Sequence, residues 1–395
     1  TMKKAGLWTD SRYFLQAAEQ LEGTGITLFK DRMPGTPSIA EWLSKELKKG
    51  DIIGMDGWVN GIDFKESLYA VCSPKGIQVE SVADPFDEIW KDRPSLPSDP
   101  VFILEEKYAG RSCRQKIELI REEIRKNNCQ SILLSALDEI AWTLNLRGSD
   151  VHCNPVFISY MHITQKKATL YIIEEKLSPE VKVYLEENGV ILKSYHQVEG
   201  DIKKVRQNIQ VSPALNMKLF NAAGYLTANG IDTGHKIMEI PSPVSLLKAV
   251  KNETEINGFR HAMERDGIAM VKFLKWLKTA VPAGNETELS VDRKLYELRA
   301  EQADFKGISF DTIAGYKEHA AIVHYEATPE TDIPLKPEGM LLLDSGAQYL
   351  DGTTDITRTI VLGPLSNEEK TDYTLVLKGF LQLQNAIFPE GTCGT

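Results

Sequence analysis

Leu341-Leu342-Leu343-Asp344-Ser345-Gly346-Ala347-Gln348-Tyr349-Leu350, then Asp351-Gly352, then Thr353-Thr354-Asp355-Ile356-Thr357-Arg358-Thr359-Ile360-Val361 is the stretch on which the reading of this chain turns. Asp-Gly between two runs of apolar and β-branched residues is a strong hairpin signal. The spacing predicts one strand over 341–350, a tight turn at Asp351-Gly352 and a return strand over 353–361. Asp344 and Asp355 fall on the two arms, which an antiparallel hairpin holds about 5 Å apart. Aspartate is disfavoured in strands. Two carboxylates that close in a partly buried sheet repel each other, and a cation between them removes the penalty. An all-oxygen site of this kind suits hard or borderline divalent ions such as Mn²⁺, Mg²⁺ or Zn²⁺. The plain alternative is that both carboxylates face solvent beside the turn, as most charged side chains do.

His324 is the second candidate. It lies in Ala320-Ala321-Ile322-Val323-His324-Tyr325, an apolar, strand-like run ahead of Asp344. There it serves as a metal ligand, a substrate contact or a proton shuttle, or else as a core or edge histidine with an ordinary hydrogen bond. His319, five residues earlier, reads as a loop residue.

Outward from this stretch the pattern is helical. Helices are expected over Glu368–Phe388, over Leu289–Gln302, and from Ser245 to about Thr279, the last ended by Pro282. Asn252, three residues before Glu255, is a helix-start signal. Prolines mark two boundaries, Arg93-Pro94-Ser95-Leu96-Pro97-Ser98-Asp99-Pro100 and Ile240-Pro241-Ser242-Pro243, because proline fits neither a helix interior nor a central strand. They divide the chain into domains at 1–95, 100–241 and 244–395. The first two domains carry one motif twice. Lys3-Lys4-Ala5-Gly6-Leu7-Trp8, a helical stretch from Arg12 to Leu21 and Gly25-Ile26-Thr27-Leu28 are matched by Lys166-Lys167-Ala168-Thr169-Leu170-Tyr171, a helical stretch from Pro179 to Glu187 and Gly189-Val190-Ile191-Leu192. About 65 residues of the second domain, including the apolar run Ile132–Ala136 and a short helix from Leu137 ended at Gly148, precede its copy, whereas two precede the first. The first domain is therefore expected to lack its opening strands. The fold class is α/β, with an α+β final part.

Composition narrows the function classes. The net charge of −10 disfavours nucleic acid, whose phosphates need a basic face. No apolar run approaches the roughly 18 residues of a membrane span. The five cysteines, Cys72, Cys113, Cys129, Cys153 and Cys393, are scattered without a C-x-x-C pair, which fits free thiols in a reducing, cytoplasmic setting. Neither a G-x-S-x-G elbow nor a G-x-x-x-x-G-K-S/T loop occurs, so serine-hydrolase and P-loop readings have no support.

The segment from Asp344 to Thr359 closely resembles the first metal-binding motif of the Xaa-Pro aminopeptidases. Further similar stretches are Trp8-Thr9-Asp10-Ser11-Arg12-Tyr13-Phe14-Leu15-Gln16-Ala17, Ile89-Trp90-Lys91-Asp92-Arg93-Pro94, Leu137 to Pro155, Gln302-Ala303-Asp304-Phe305 and Ile322-Val323-His324-Tyr325. The resemblance covers nearly the whole chain and is specific to the large three-domain subclass. It implies two related creatinase-N-terminal-like α/β domains followed by a pita-bread catalytic domain with two divalent metals, usually manganese. By that likeness Asp344 chelates one metal, Asp355 bridges both, His324 contacts the substrate near the scissile bond, and Arg12 is associated with the peptide. A metal-bridging hydroxide then attacks the carbonyl before proline in peptides with proline second, and the enzyme is a cytoplasmic homodimer. The family's remaining ligands, one histidine and two glutamates, have no match before Thr395. The pita-bread domain is thus expected to be incomplete, and this polypeptide neither to bind two metals tightly nor to cleave peptides. A non-catalytic peptide-binding module and a prolidase-type dipeptidase are the alternatives.

Overall fold

The computed structural model describes residues 1, 3–224 and 236–393, and its chain divides into two compact units. The first unit comprises Thr1–Glu264 with two later segments, Asp304–Phe310 and Ala347–Thr354; the second comprises Arg265–Ala303, Asp311–Gly346 and Asp355–Thr395.

The repeated motif becomes the same local structure twice in the first unit. Strands β1 (Ala5–Thr9) and β2 (Ile26–Lys30) flank the helix Phe14–Gln20 and pair in parallel, with Ala5 beside Ile26. Strands β3 (Ile52–Asp56) and β4 (Gln78–Val82) form a second parallel pair, and β5 (Phe102–Ile103) pairs with β7 (Leu146–Arg147). The second copy of the motif lies in a six-stranded sheet built from β6 (Ser131–Leu134), β8 (Ser159–Thr164), β9 (Ala168–Ile172), β10 (Val190–Ser194), β11 (Ile209–Val211) and β12 (Ile237–Glu239), in the order β10-β9-β8-β6-β11-β12. Here β9 and β10 flank the helix Pro179–Glu187 and again run parallel, with Ala168 beside Val190. Every residue of β6 and β9 is buried, as continuous apolar runs predict for strands covered on both faces. Ile117, Ile120 and Ile124 of the helix Cys113–Lys126 pack on Ile132, Leu134 and Leu170, and each such buried side chain stabilises by about 1.5–3 kcal/mol. A small antiparallel pair, β13 (Phe305–Ile308) with β16 (Ala347–Tyr349), completes this unit.

The second unit is a three-stranded antiparallel sheet with β15 (Met340–Ser345) between β14 (Ile313–Tyr316) and β17 (Ile356–Val361). Leu341, Leu343 and Ile356 of the sheet meet Phe273, Leu277 and Val281 of the helix Glu253–Ala283, and Val291 and Leu295 of the helix Glu288–Ala300. Between these helices lies a buried ion pair: Arg299 Nε and Nη2 donate to the two oxygens of Asp266 at 2.7 and 3.0 Å, with side chains 1% and 0% exposed. Arg299 Nη1 also donates to the Gly346 carbonyl at 3.4 Å.

Several expected boundaries move, each for a local reason. The helix expected from Ser245 is two helices, Pro243–Ala249 and Glu253–Ala283. Asn252 and Glu255 form reciprocal caps of 3.0 and 2.9 Å that start the second one afresh. The helix from Leu137 stops at Leu144, ahead of the end expected at Gly148, because Asn145 takes the left-handed conformation (φ 50°). The strand expected over 341–350 is broken at Gly346, and the return strand begins at Ile356 rather than Thr353. Within the turn Tyr349 N–H donates to Gly352 O and Thr354 N–H to Ala347 O, at 2.8 and 2.9 Å. No helix among the described residues is long and apolar enough to cross a membrane.

Because Arg299 and Asp266 are both desolvated, removing one partner strands the other. Arg299→Ala is expected to lower unfolding free energy by about 3–5 kcal/mol, measured by denaturant titration. A loss below about 1 kcal/mol would show that the pair is solvated.

Candidate metal centre

Alternation along β15 decides which side chains meet. Leu341, Leu343 and Ser345 are buried, so Leu342 and Asp344 project from the opposite, partly exposed face. Asp344 lies across from Thr357 and Ser345 across from Ile356. Extending that register by one step sets Asp355 opposite Gly346, on the same face as Asp344. The two carboxyls are within hydrogen-bonding reach of each other, and Thr357 Oγ1 donates to Asp344 Oδ1 at 2.7 Å.

The electrostatics follow from that approach. The Asp355 carboxyl is held above the ordinary carboxylate range, first by loss of solvent around it, then by the charge of Asp344 and the hydrogen bond with it. Both groups are on the rim rather than in the core, Asp344 half-buried and Asp355 exposed. The donor set is two carboxylates and a hydroxyl, hard oxygen ligands on an accessible face, and this fits a divalent cation.

His324 departs from its expected setting. Its segment is not a strand: Lys317–Ala321 is a 3₁₀ helix, and His324 follows in a turn, exposed, with φ 56°. His319, read as a loop residue, belongs to that 3₁₀ helix, and its Nδ1 lies 3.0 Å from both carboxylate oxygens of the fully buried Glu288. Nothing in the spacing connects the two, since Glu288 reads as an ordinary acidic residue in the first turn of a helix. Arg12 is in the first unit, in the 3₁₀ helix Ser11–Tyr13, where Nε and Nη2 each donate to Asp10 at 2.8 Å. That pairing holds Asp10 below its usual range. Asp344, Asp355 and His324 all belong to the second unit.

Residues 257–395 match metallopeptidase family M24, and residues 92–255 match the Creatinase/Prolidase N-terminal domain. Residues 257–395 thus carry the sequence pattern of an M24 metallopeptidase. Over its whole length the chain is similar to Xaa-Pro aminopeptidases. It is 38% identical over 401 residues to a probable Xaa-Pro aminopeptidase P of Botryotinia fuckeliana, aligning all of this chain with 61% of that one. It is 37% identical over 410 residues to Xaa-Pro aminopeptidase 1 of Dictyostelium discoideum, covering 64% of it. The crystal structure of X-prolyl aminopeptidase from Caenorhabditis elegans, described as a cytosolic enzyme with a di-nuclear active site, superposes with a TM-score of 0.91 at 32% identity, over the whole of this chain and 65% of that one. The chain thus spans less than two thirds of the length of these relatives.

A carboxyl with a raised pKa binds its proton more tightly in the folded than in the unfolded state. In metal-free protein Asp355 therefore contributes stability below the ordinary carboxylate pKa, and that contribution is lost as pH rises through its folded value. Asp355→Asn is expected to raise the metal-free Tm at pH 7 and to leave it unchanged near about pH 3, where carboxyls are protonated. Calorimetry at both pH values checks this; a lower Tm for the variant at pH 7 contradicts it.

Proposed function

We propose that the protein is a metal-dependent aminopeptidase that hydrolyses the bond between an N-terminal residue and a following proline. The observation that carries this reading is the close approach of Asp344 and Asp355 on one face of β15 and β17, an arrangement that is unfavourable without a cation. In this reading Asp344 and Asp355 would be among the ligands of two divalent ions, Mn²⁺ by preference. When bound, the ions supply Lewis acidity toward the scissile carbonyl and make water a nucleophile at neutral pH. His324, exposed on its turn, contacts the peptide next to the scissile bond, and Arg12 assists in binding it. The bond before proline lacks an N–H, so a pocket shaped for the imide selects it over ordinary peptides. We further infer a cytoplasmic homodimer and three domains bounded at 1–95, 100–241 and 244–395.

Full-length protein supplied with Mn²⁺ is expected to release the first residue from tripeptides with proline second, and to leave X-Pro dipeptides and tripeptides with alanine second largely intact. Asp344→Ala and Asp355→Ala should each lower kcat/KM by about 10³-fold or more, equivalent to several kcal/mol of lost charge stabilisation. His324→Ala should lower it by about 10²-fold. Product analysis by mass spectrometry decides among the substrates. Cleavage of the dipeptides alone would point to a prolidase, and no cleavage of any of them to a binding module.

A further inference from the structure

Glu288 is the first residue of the helix Glu288–Ala300, and it is fully buried. A carboxylate in that position is costly unless its oxygens are hydrogen-bonded. Among the described residues, the side-chain and backbone donors that meet it come from one short segment. Tyr316 N–H donates to Oε1 at 2.8 Å, the Tyr325 hydroxyl donates to Oε2 at 3.0 Å, and His319 Nδ1 lies 3.0 Å from both oxygens. The His319 and Tyr325 rings pack on each other with centroids 4.5 Å apart. One carboxylate thus fastens the start, middle and end of the segment 316–325.

The segment needs fastening because its backbone is strained. Lys317 (φ 51°) and His324 (φ 56°) both adopt the left-handed conformation, which residues other than glycine hold only when their surroundings over-determine it. The 3₁₀ turn also folds tightly back on β14. A Cβ on Gly315 would lie 2.8 Å from Ala320 N, so glycine alone permits the approach. His324 is exposed, immediately before the anchored Tyr325.

We propose that Glu288, together with His319 and Tyr325, is a positioning device for His324: the buried carboxylate holds the loop 316–325 so that the histidine is presented to the peptide in one fixed orientation. This rests on the reading of His324 as the substrate contact. Glu288, His319 and Tyr325 act through His324 and do not touch the reacting atoms.

A double-mutant cycle in the full-length, Mn²⁺-supplied protein tests this, using Tyr325→Phe, which keeps the ring and removes one donor, and His319→Ala as an independent second variant. Each is expected to lower kcat on an X-Pro tripeptide by about ten-fold in the wild-type background, and to have no further effect in His324→Ala, because coupled residues are non-additive. Amide hydrogen exchange across residues 317–325, read in the same variants without substrate, is expected to speed up in Tyr325→Phe and His319→Ala. Equal losses in both backgrounds would assign Glu288 and its partners a purely structural role and overturn the proposal. So would unchanged exchange in both variants. Wild-type activity in His324→Ala would overturn the reading of His324 itself, and the positioning role with it.

Discussion

The strand β15 has to satisfy two demands with one alternating sequence. Its odd-numbered residues, Leu341, Leu343 and Ser345, go to the core side, and this leaves Asp344 on the opposite face with no freedom to turn inward. The partner strand β17 begins at Ile356, itself buried, and its register brings Asp355 to the same face. The apolar packing of the sheet on the helices Glu253–Ala283 and Glu288–Ala300 therefore enforces the approach of two like charges. The core stabilises the unit, and part of that stability is spent on holding the carboxylates together. A change in the register of β15 by one residue would bury Asp344 and expose the leucines, so selection for the fold and selection for the site coincide.

Around this constraint the unit pairs its buried charges Asp266, Glu288 and Arg299. Arg299 and Asp266 satisfy each other deep between the helices, and Arg299 reaches the carbonyl of Gly346, the residue at which the strand breaks between the two aspartates. Glu288 collects the donors of the segment 316–325. Buried charges placed this way are poor sources of net stability, and what they contribute is a single arrangement of the chain. Asp266, Glu288 and Arg299 all belong to the second unit, as do Asp344, Asp355 and His324.

The sequence exposed those parts of this design whose cause is local. The repeated strand–helix–strand motif is legible because apolar, strand-length runs follow Gly25 and Gly189, and both copies pair in parallel. Asp351-Gly352 announced the turn through its own chemistry. What the sequence hid depends on partners far along the chain. Nothing near Gly346 signals that Ala347–Tyr349 will leave β17 to pair with Phe305–Ile308. The run Ala320–Tyr325 has strand composition but completes a 3₁₀ helix and continues as a turn, with the Tyr325 hydroxyl donating to Glu288, 37 residues earlier. Asn145 in the left-handed region ends the helix from Leu137 ahead of Gly148. Asp10 similarly claims Arg12, through a contact that spacing permits but does not require.

The interleaving of the two units has a consequence for synthesis on the ribosome. The first unit includes Asp304–Phe310 and Ala347–Thr354, so it is still incomplete when Glu264 emerges. Roughly ninety more residues must be translated before its last segment arrives, on the order of ten seconds at ordinary elongation rates. During that interval the pair β13–β16 is unmade, and the side chains of Ala262, Phe305 and Tyr349 cannot yet form their shared cluster. The nascent chain therefore waits on its own later residues, and neither unit can be released as a contiguous fragment by a single cut.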